Sequence, residues 1–555
     1  MSWHMATRVV TRIRVTAAIS AAVAMLLATP LAAQETDPPD RQAFRAARLL
    51  DEPQQVLDAM QRVAAEYPDS RYGDRARMAV LETLVRSFPT RTKDIRRQID
   101  VVLKFTPEDD RFGIEDDIAV VLVEAGVLLG RAQQLAESAV DRFVEADFVA
   151  DAVKEAAAAK QAPPDPVRLR RAYARTRAIL LGTLGRVHLA QGRPGPARRA
   201  FLEARRLDAT VATVADGLGT LALRDGREGE AYDEYLRARL GGALRPEHRA
   251  DFERLFAARH GGTVAGLDAA LDETYRRLFP NPVAVDHAAL PAGTSRVPLL
   301  EVFTGAGCPP CAAADLAVDA AMERFGTAAV LMYHVHVPRP DPMSNPDTVA
   351  RSTAYAVTGV PTLLVDGSGR MSGGGPREDA PRTYARLAPL LEKAAATAPD
   401  ATLTLGVRAE AGQVRVSVEA ALAPAARAAI AAGSPNWGLV VRLALAETDL
   451  RYSGENGIRF HPMVVRALAE FPMPAATFSG THTFDVARLT PALQAYLDEY
   501  ERRNDRFGPM TFAEKKAAIN PSQLQVVAFV QRTDDARVLQ SAVVRVPAAG
   551  TGAPR

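Results

Sequence analysis

Apolar positions along this chain change their period three times. Over residues 42–277 they recur three and four apart in Ala- and Leu-rich stretches, the spacing of a helix with one buried face, broken at Tyr67-Pro68-Asp69, Ala162-Pro163-Pro164 and Gly241-Gly242. Over 296–393 short apolar runs alternate with helical ones. Strands are expected at 297–303, 328–337 and 362–365, and helices at 309–325, 349–357 and 382–396. Such alternation implies a mostly parallel sheet with helices on both faces. From 401 onward apolar and polar residues alternate singly, as in Leu403, Leu405 and Val407, a turn at Glu410-Ala411-Gly412, then Val414, Val416 and Val418. Further strands fit 439–445, 463–468, 482–486, 526–530 and 539–546, with one helix near 491–502; short strands separated by turn signals predict a β-sandwich over 400–548.

The helical stretch contains an internal repeat. Leu184, Gly185, Leu189, Gly192, Arg193, Ala197, Phe201 and Ala204 return 34 residues later as Leu218, Gly219, Leu223, Gly226, Arg227, Ala231, Tyr235 and Ala238. That period, with small residues where paired helices cross and Gly in the turn, resembles the tetratricopeptide repeat, most clearly over 178–245. The resemblance implies stacked antiparallel helix pairs with Gly185 and Gly219 at close crossings. Such stacks either present a surface to another protein or pack on their own chain, and the sequence leaves both open.

With 555 residues and 48% hydrophobic content, the chain has room for about three domains, each with its own core. The 68 Lys and Arg against 66 Asp and Glu give no basic footprint, so nucleic acid is not an expected partner. Arg8, Arg12 and Arg14 precede an uncharged stretch over 15–31 that ends in Leu31-Ala32-Ala33-Gln34. This predicts a secretory signal peptide over 1–33, cut after Ala33, and a mature chain in the periplasm or elsewhere in the cell envelope. An uncleaved leader, acting as a membrane anchor, is the alternative. Past the leader, no apolar run approaches the length needed to span a bilayer.

The two cysteines of the chain stand together as Cys308-Pro309-Pro310-Cys311, after the first expected strand and at the start of the first expected helix of the 296–393 segment. Two cysteines separated by two residues suit disulfide exchange, whereas a structural bridge closing so small a loop restrains almost nothing. At a helix N-terminus, unpaired N–H groups and the helix dipole favour a Cys308 thiolate. Pro309 and Pro310 suit the first turn but remove two donors near that sulfur. A less stabilised thiolate favours a reductase, with a potential nearer about −270 mV than the strongly oxidising extreme of about −120 mV.

With the cysteines at the first strand's exit and Gly359-Val360-Pro361-Thr362 before the third, residues 290–396 resemble the thioredoxin fold. The resemblance implies that Cys308 is the exposed nucleophile and Cys311 the resolving thiol. It also implies that Val360-Pro361 is a cis step facing the cysteines and offering the Val360 backbone to substrate. Gly307 stands where this family usually has an aromatic residue. Ala444-Leu445-Ala446-Glu447, the stretch Tyr452 to Gly457, His461-Pro462-Met463-Val464-Val465-Arg466 and Ala528-Phe529-Val530-Gln531 resemble the C-terminal part of large, outer-membrane-protein-related envelope proteins that carry a thioredoxin-like module.

Other polar residues admit two readings. Asp315, two turns after Cys308, could accept the Cys311 proton or simply be a solvated or capping acid. Glu301, on the strand before the cysteines, is similarly ambiguous, while alternation puts Val302 on the face where such folds often carry a buried acid. His334 and His336 share a strand face and suit either a metal, or copper-loaded partner, or a hydrogen-bonded pair; no third ligand is recognisable. His461 and His482 stand alone. No phosphate loop, Ser nucleophile elbow or zinc spacing occurs elsewhere.

The combined expectation is an exported thiol-disulfide oxidoreductase, more reductase than oxidase, that exchanges disulfides with envelope proteins. Its redox group is the Cys308/Cys311 disulfide, with no metal or organic cofactor expected. The alternative is a non-catalytic envelope scaffold that binds a protein through its helical repeats.

Overall fold

The computed structural model describes residues 37–160, 162–286, 295–410, 412–433, 438–508 and 510–547. The expected signal peptide over 1–33 and its cut after Ala33 lie outside the described residues. The described residues divide into two compact units, one up to residue 221 together with 501–511, the other from 222 to 500 and from 512 onward.

The first unit is helical: α1 (Pro39–Arg48), α2 (Pro53–Glu66), α3 (Arg71–Ser87), α4 (Thr92–Phe105), α5 (Arg111–Ala125), α6 (Leu129–Arg142), α7 (Glu145–Ala158), α8 (Pro166–Ala190), α9 (Pro194–Leu207) and most of α10 (Ala212–Arg224). Proline occupies the first turn of α1, α2, α8 and α9, where its missing N–H costs no hydrogen bond. Ser70 caps α3 by accepting from Gly73 N at 2.9 Å, and left-handed Gly126 (φ 67°) ends α5. Leu57, Met60, Leu81, Ile95, Ile99, Ile118 and Leu122 share one core.

The close crossing expected at Gly185 is present. A Cβ there would lie 2.5 Å from Phe201 Cε1, and a Cβ at Gly217 would lie 2.3 Å from Phe201 Cζ, so the buried Phe201 ring is held between two glycines. Its second glycine is thus Gly217, two residues before the Gly219 that the 34-residue period singled out; Gly219 is itself buried.

The helical stretch expected over 42–277 does not stay in one unit. Helices α11 (Glu228–Leu240), α12 (Arg249–Arg259) and α13 (Leu267–Leu278) belong to the second unit with the sheets. Polar ties anchor them: Asp272 on α13 accepts from Arg451 and, at 2.7 Å, from Arg459 Nε, and Tyr275 Oη donates to Gly457 O at 2.8 Å.

The rest of this unit runs β1 (Leu299–Thr304), α14 (Cys311–Arg324), β2 (Ala329–His334), α15 (Pro346–Ala354), β3 (Thr362–Val365), β4 (Gly369–Ser372), α16 (Ala380–Ala396), β5 (Ala401–Glu410), β6 (Gln413–Leu422), α17 (Pro424–Gly433), β7 (Leu439–Glu447), β8 (Leu450–Arg451), β9 (Phe460–His461), β10 (Val464–Pro472), β11 (Thr477–Asp485), α18 (Val486–Arg502), β12 (Leu524–Arg532) and β13 (Val538–Arg545). A mixed eight-stranded sheet has the order β13-β12-β7-β10-β2-β1-β3-β4. Within it β1 runs parallel to β2 and antiparallel to β3.

This sheet corrects the boundary expected between 396 and 400. Strand β10 lies parallel to β2 at Val464↔Met332, and Met332 N donates to Met463 O at 2.9 Å, so β7, β10, β12 and β13 extend the sheet begun by β1. An exposed β2 would offer unpaired backbone groups, and the buried Val464 and Val465 are the apolar residues that cover such an edge. Among the described residues β11-β6-β5 form a separate three-stranded sheet, with β8-β9 as a small ribbon. Val414, Val416 and Val418 of β6 share a core with Val441, Leu443 and Leu445 of β7 and Val526, Ala528 and Val530 of β12.

Candidate functional site

Strand β1 ends at Thr304, and a tight turn carries the chain to Cys308, whose N–H bonds Gly305 O at 3.0 Å. Pro309 and Pro310 are exposed, and the α-helix starts at Cys311, two residues later than expected. The first N–H groups of α14 are not free: Cys311 N bonds Cys308 O at 3.0 Å, Ala312 N bonds Pro309 O at 3.4 Å, and Ala313 N bonds Gly375 O at 3.1 Å. Helix N–H groups therefore offer the Cys308 sulfur less than its position in the sequence implied.

Cys308 and Cys311 form a disulfide with a Cα–Cα distance of 5.3 Å. Both are enclosed, at 1% and 0% exposure, so the exposed nucleophile of the thioredoxin resemblance is covered in this form. Arg339 packs over Gly307, where an added Cβ would sit 3.0 Å from Arg339 Cβ, and its guanidinium pairs with Glu455. Asn456 N donates to Ala306 O at 3.0 Å, so the loop Tyr452 to Gly457 lies against the turn that bears Cys308. On the other side Cys308 Sγ is 3.8 Å from Val360 O, next to a cis Val360–Pro361 bond. Gly374 completes the enclosure: its N-terminal neighbour is left-handed Gly373, and a Cβ on Gly374 would be 2.0 Å from Pro310 O and 2.8 Å from Pro361 Cγ. Only glycine lets this strand of backbone pass.

Asp315 lies one turn beyond Cys311 on the same helix face and is buried. Thr304 Oγ1 donates to its Oδ1 at 2.8 Å, and Asn456 Nδ2 reaches Oδ2 at 3.5 Å. Burial pushes its carboxyl up to about 7, against the pull of His334 and the Thr304 hydrogen bond. One turn further, burial and the nearby Asp315 push Asp319 up to about 8. The solvated or capping role is thereby set aside. Thr304, missed in the sequence, follows Val302 on the same strand face, so alternation alone could have found it.

Glu301 occupies the opposite face and does not support the cysteines. Its carboxylate accepts from Arg351 Nε at 2.9 Å and Nη2 at 3.0 Å, from Tyr333 Oη at 2.9 Å and from Tyr355 Oη. The one-residue offset from Val302 sends the side chain away from α14, toward α15.

The four histidines separate. His334 Nδ1 bonds Asp341 Oδ2 at 3.0 Å, whereas His336 Nε2 bonds Tyr496 Oη at 3.0 Å and its ring stacks on Tyr500. His461 Nε2 bonds Tyr452 O at 2.9 Å, its ring 5.2 Å from that of His334, and burial pushes its basicity down to about 3. His482 packs edge-on to Phe484 at 4.5 Å. Among the described residues no group of three or more His, Cys, Asp or Glu side chains is placed to hold a metal ion, and no helix is long and apolar enough to cross a membrane.

No family model matches the chain, and no curated protein matches it. Among solved structures it is similar to HBP35 of Porphyromonas gingivalis (13% identity, 47% of this chain and 80% of that one, TM-score 0.32). Others are PilF of Pseudomonas aeruginosa (17% identity, 43% and 92%, TM-score 0.26) and a thermophilic tetratricopeptide-repeat protein of Thermus thermophilus (17% identity, 40% and 97%, TM-score 0.24). Similarities at this level of superposition fix neither a fold nor a function for this chain.

Proposed function

We propose that this protein is an exported thiol-disulfide oxidoreductase built on a thioredoxin-like module. The observation that carries the reading is the meeting of the Cys308–Cys311 disulfide, the Val360 carbonyl beside a cis Pro361, and a buried Asp315 one turn beyond Cys311. In the reduced protein the Cys308 thiolate attacks one sulfur of a substrate disulfide, forming a mixed disulfide and expelling a substrate thiolate. Cys311 then gives its proton to the Asp315 carboxylate and attacks the Cys308 sulfur. The mixed S–S bond breaks, the second substrate thiolate leaves, and two electrons have passed to the substrate. An acid that titrates near neutrality suits this transfer.

Substrates in this reading are protein disulfides of the cell envelope, and the helical pairs, tetratricopeptide-like in their period, provide a surface for a protein partner. Enclosure of both sulfurs favours a second reading, in which the disulfide is inert and the chain is a binding scaffold. Redox titration followed by thiol alkylation separates the two. The oxidoreductase should equilibrate near about −270 mV, whereas an inert structural disulfide is reduced only at potentials below about −300 mV. In the reduced protein Cys308 should alkylate before Cys311, and Arg339→Ala should speed that labelling by removing the side chain that covers Gly307. A potential near −120 mV would sink the reductase direction.

A further inference from the structure

Asn456, in the loop between β8 and β9, touches both the turn that bears Cys308 and the acid beyond Cys311, and the exchange just described gives it no part. Its backbone N–H donates to Ala306 O at 3.0 Å, two residues before Cys308. Asp341 Oδ2 accepts from the N–H of the same Ala306 at 2.6 Å, so the turn is held from two sides. The Asn456 side chain is oriented by its own loop. Its Oδ1 accepts from Ile458 N at 3.0 Å, and that bond decides which end of the amide is oxygen. The other end, Nδ2, therefore faces the redox centre, 3.4 Å from Gly305 O and 3.5 Å from Asp315 Oδ2.

The loop is built to reach this place. A Cβ on Gly454 would lie 2.7 Å from Asn456 Oδ1 and 2.8 Å from Ala306 O, so only glycine lets the loop lie against the turn. On the far side Gly457 O accepts from Tyr275 Oη at 2.8 Å and from Arg377 Nη2 at 3.0 Å. Each oxygen of Asp315 thus has its own donor: Thr304 of β1 at Oδ1, at 2.8 Å, and Asn456, 141 residues along the chain, at Oδ2. The longer contact is the weaker one, which leaves Oδ2 the freer oxygen to take a proton.

We propose that Asn456 is a positioning residue of the redox centre: its amide holds Asp315 Oδ2 in place to receive the Cys311 proton. The inference rests on the oxidoreductase reading. A donor to a carboxylate favours the ionised form, which is the form able to accept a proton. Without the amide, Asp315 stays protonated to higher pH and Cys311 attacks more slowly at neutral pH.

The test uses the full chain with Asn456→Ser, whose hydroxyl can still accept from Ile458 N but is too short to reach Asp315, and Asn456→Ala, which removes both contacts. Both keep the backbone N–H on Ala306 O. Both also leave in place the titratable groups around Asp315, namely Asp319 on α14, His334 on β2 and Asp341 after it, and the Arg339–Glu455 pair beside the loop. In the oxidised protein the Asp315 carboxyl, identified by its loss in Asp315→Asn, should titrate at higher pH in both variants than in wild type, followed by carbon NMR. In the reduced protein mixed with oxidised glutathione, Cys308 should form the mixed disulfide as fast as in wild type. The attack by Cys311 that expels the second glutathione should slow about threefold at pH 7, well below the ~10²-fold or more expected for Asp315→Asn, and its rise with pH should move upward. A titration and a resolving rate at wild-type values in Asn456→Ser overturn the proposal, whether or not Asn456→Ala folds, and leave Asn456 a tie of its loop. A raised titration in a protein that never forms a mixed disulfide with glutathione leaves the hold on Asp315 standing and overturns the oxidoreductase reading instead.

Discussion

Glu301 and Asp315 are both enclosed acids, one on each side of β1, yet their surroundings differ in kind. Glu301 meets a guanidinium through two hydrogen bonds and two tyrosine hydroxyls besides, and Gln531 continues the network to Arg351 at 3.0 Å. Burial works against the Arg351 charge, but Glu301 outweighs it and holds the guanidinium more firmly protonated than usual. Asp315 has a hydroxyl and a distant amide. An acid held by a bidentate guanidinium is a structural element of the interior. An acid whose hydrogen-bond donors are a hydroxyl and an amide, in the same low-dielectric interior, is pushed up toward neutrality by burial and can exchange a proton there.

The comparison is most exposed at Glu301. Glu301→Gln leaves the Arg351 guanidinium buried without its counter-charge and should cost about 3–5 kcal/mol in urea denaturation. A loss under about 1 kcal/mol would mean that this face does not depend on the ion pair.

Asp315→Asn should act in the opposite sense. Its carboxyl is raised from 3.8 to about 7 in the folded protein. The stability it contributes is therefore fully present below the ordinary value and is lost as pH rises through about 7. At pH 8 the Asn variant should be more stable than wild type by on the order of 2 kcal/mol, with the advantage gone at pH 4. Paired denaturation curves at the two pH values check the sign, and a variant less stable at pH 8 would show that Asp315 is as well compensated as Glu301.

Smaller changes sharpen the contrast. Tyr355→Phe removes a hydroxyl bonded to the Glu301 carboxylate and should cost about 1.5 kcal/mol at any pH from 5 to 8. Thr304→Val removes the donor to Asp315 and should cost under about 1 kcal/mol at pH 5, where that acid is protonated. Its clearer effect should be an upward move of the Asp315 titration, read by carbon NMR. Equal pH dependence in the two variants would erase the distinction between the faces.

Much of the central segment was legible because its signals are local. The strand at 362–365 is found where expected, and those at 297–303 and 328–337 lie within two or three residues of β1 and β2. Strand β4 was missed because Gly369-Arg370-Met371-Ser372 has a single buried apolar residue and gains its place only by pairing with β3. Asp315 was visible from helical spacing, and strand alternation put Val302 rather than Glu301 on the face toward α14, while the Arg351 partner that takes up Glu301 lies 50 residues on. Asn456, Asp341 and Gly374 carry no local mark of their role. The run Gly373-Gly374-Gly375 was the available hint, since three successive glycines suggest a backbone passing close to something else.

The sequence by itself determined most of the elements and brought the two cysteines together. Period, turn residues and the Cys308-Pro309-Pro310-Cys311 spacing act over a few residues, where backbone geometry and side-chain alternation leave little choice. Tertiary structure alone decided that β10 would join β2, that Phe201 would sit between Gly185 and Gly217, and that Arg339 and the 452–457 loop would close over Cys308. It also decided which buried acid received a bidentate guanidinium. Pairing and burial depend on residues far apart in the chain, as with Thr304 and Asn456 at Asp315, and their energies arise only once those residues have been brought out of water together.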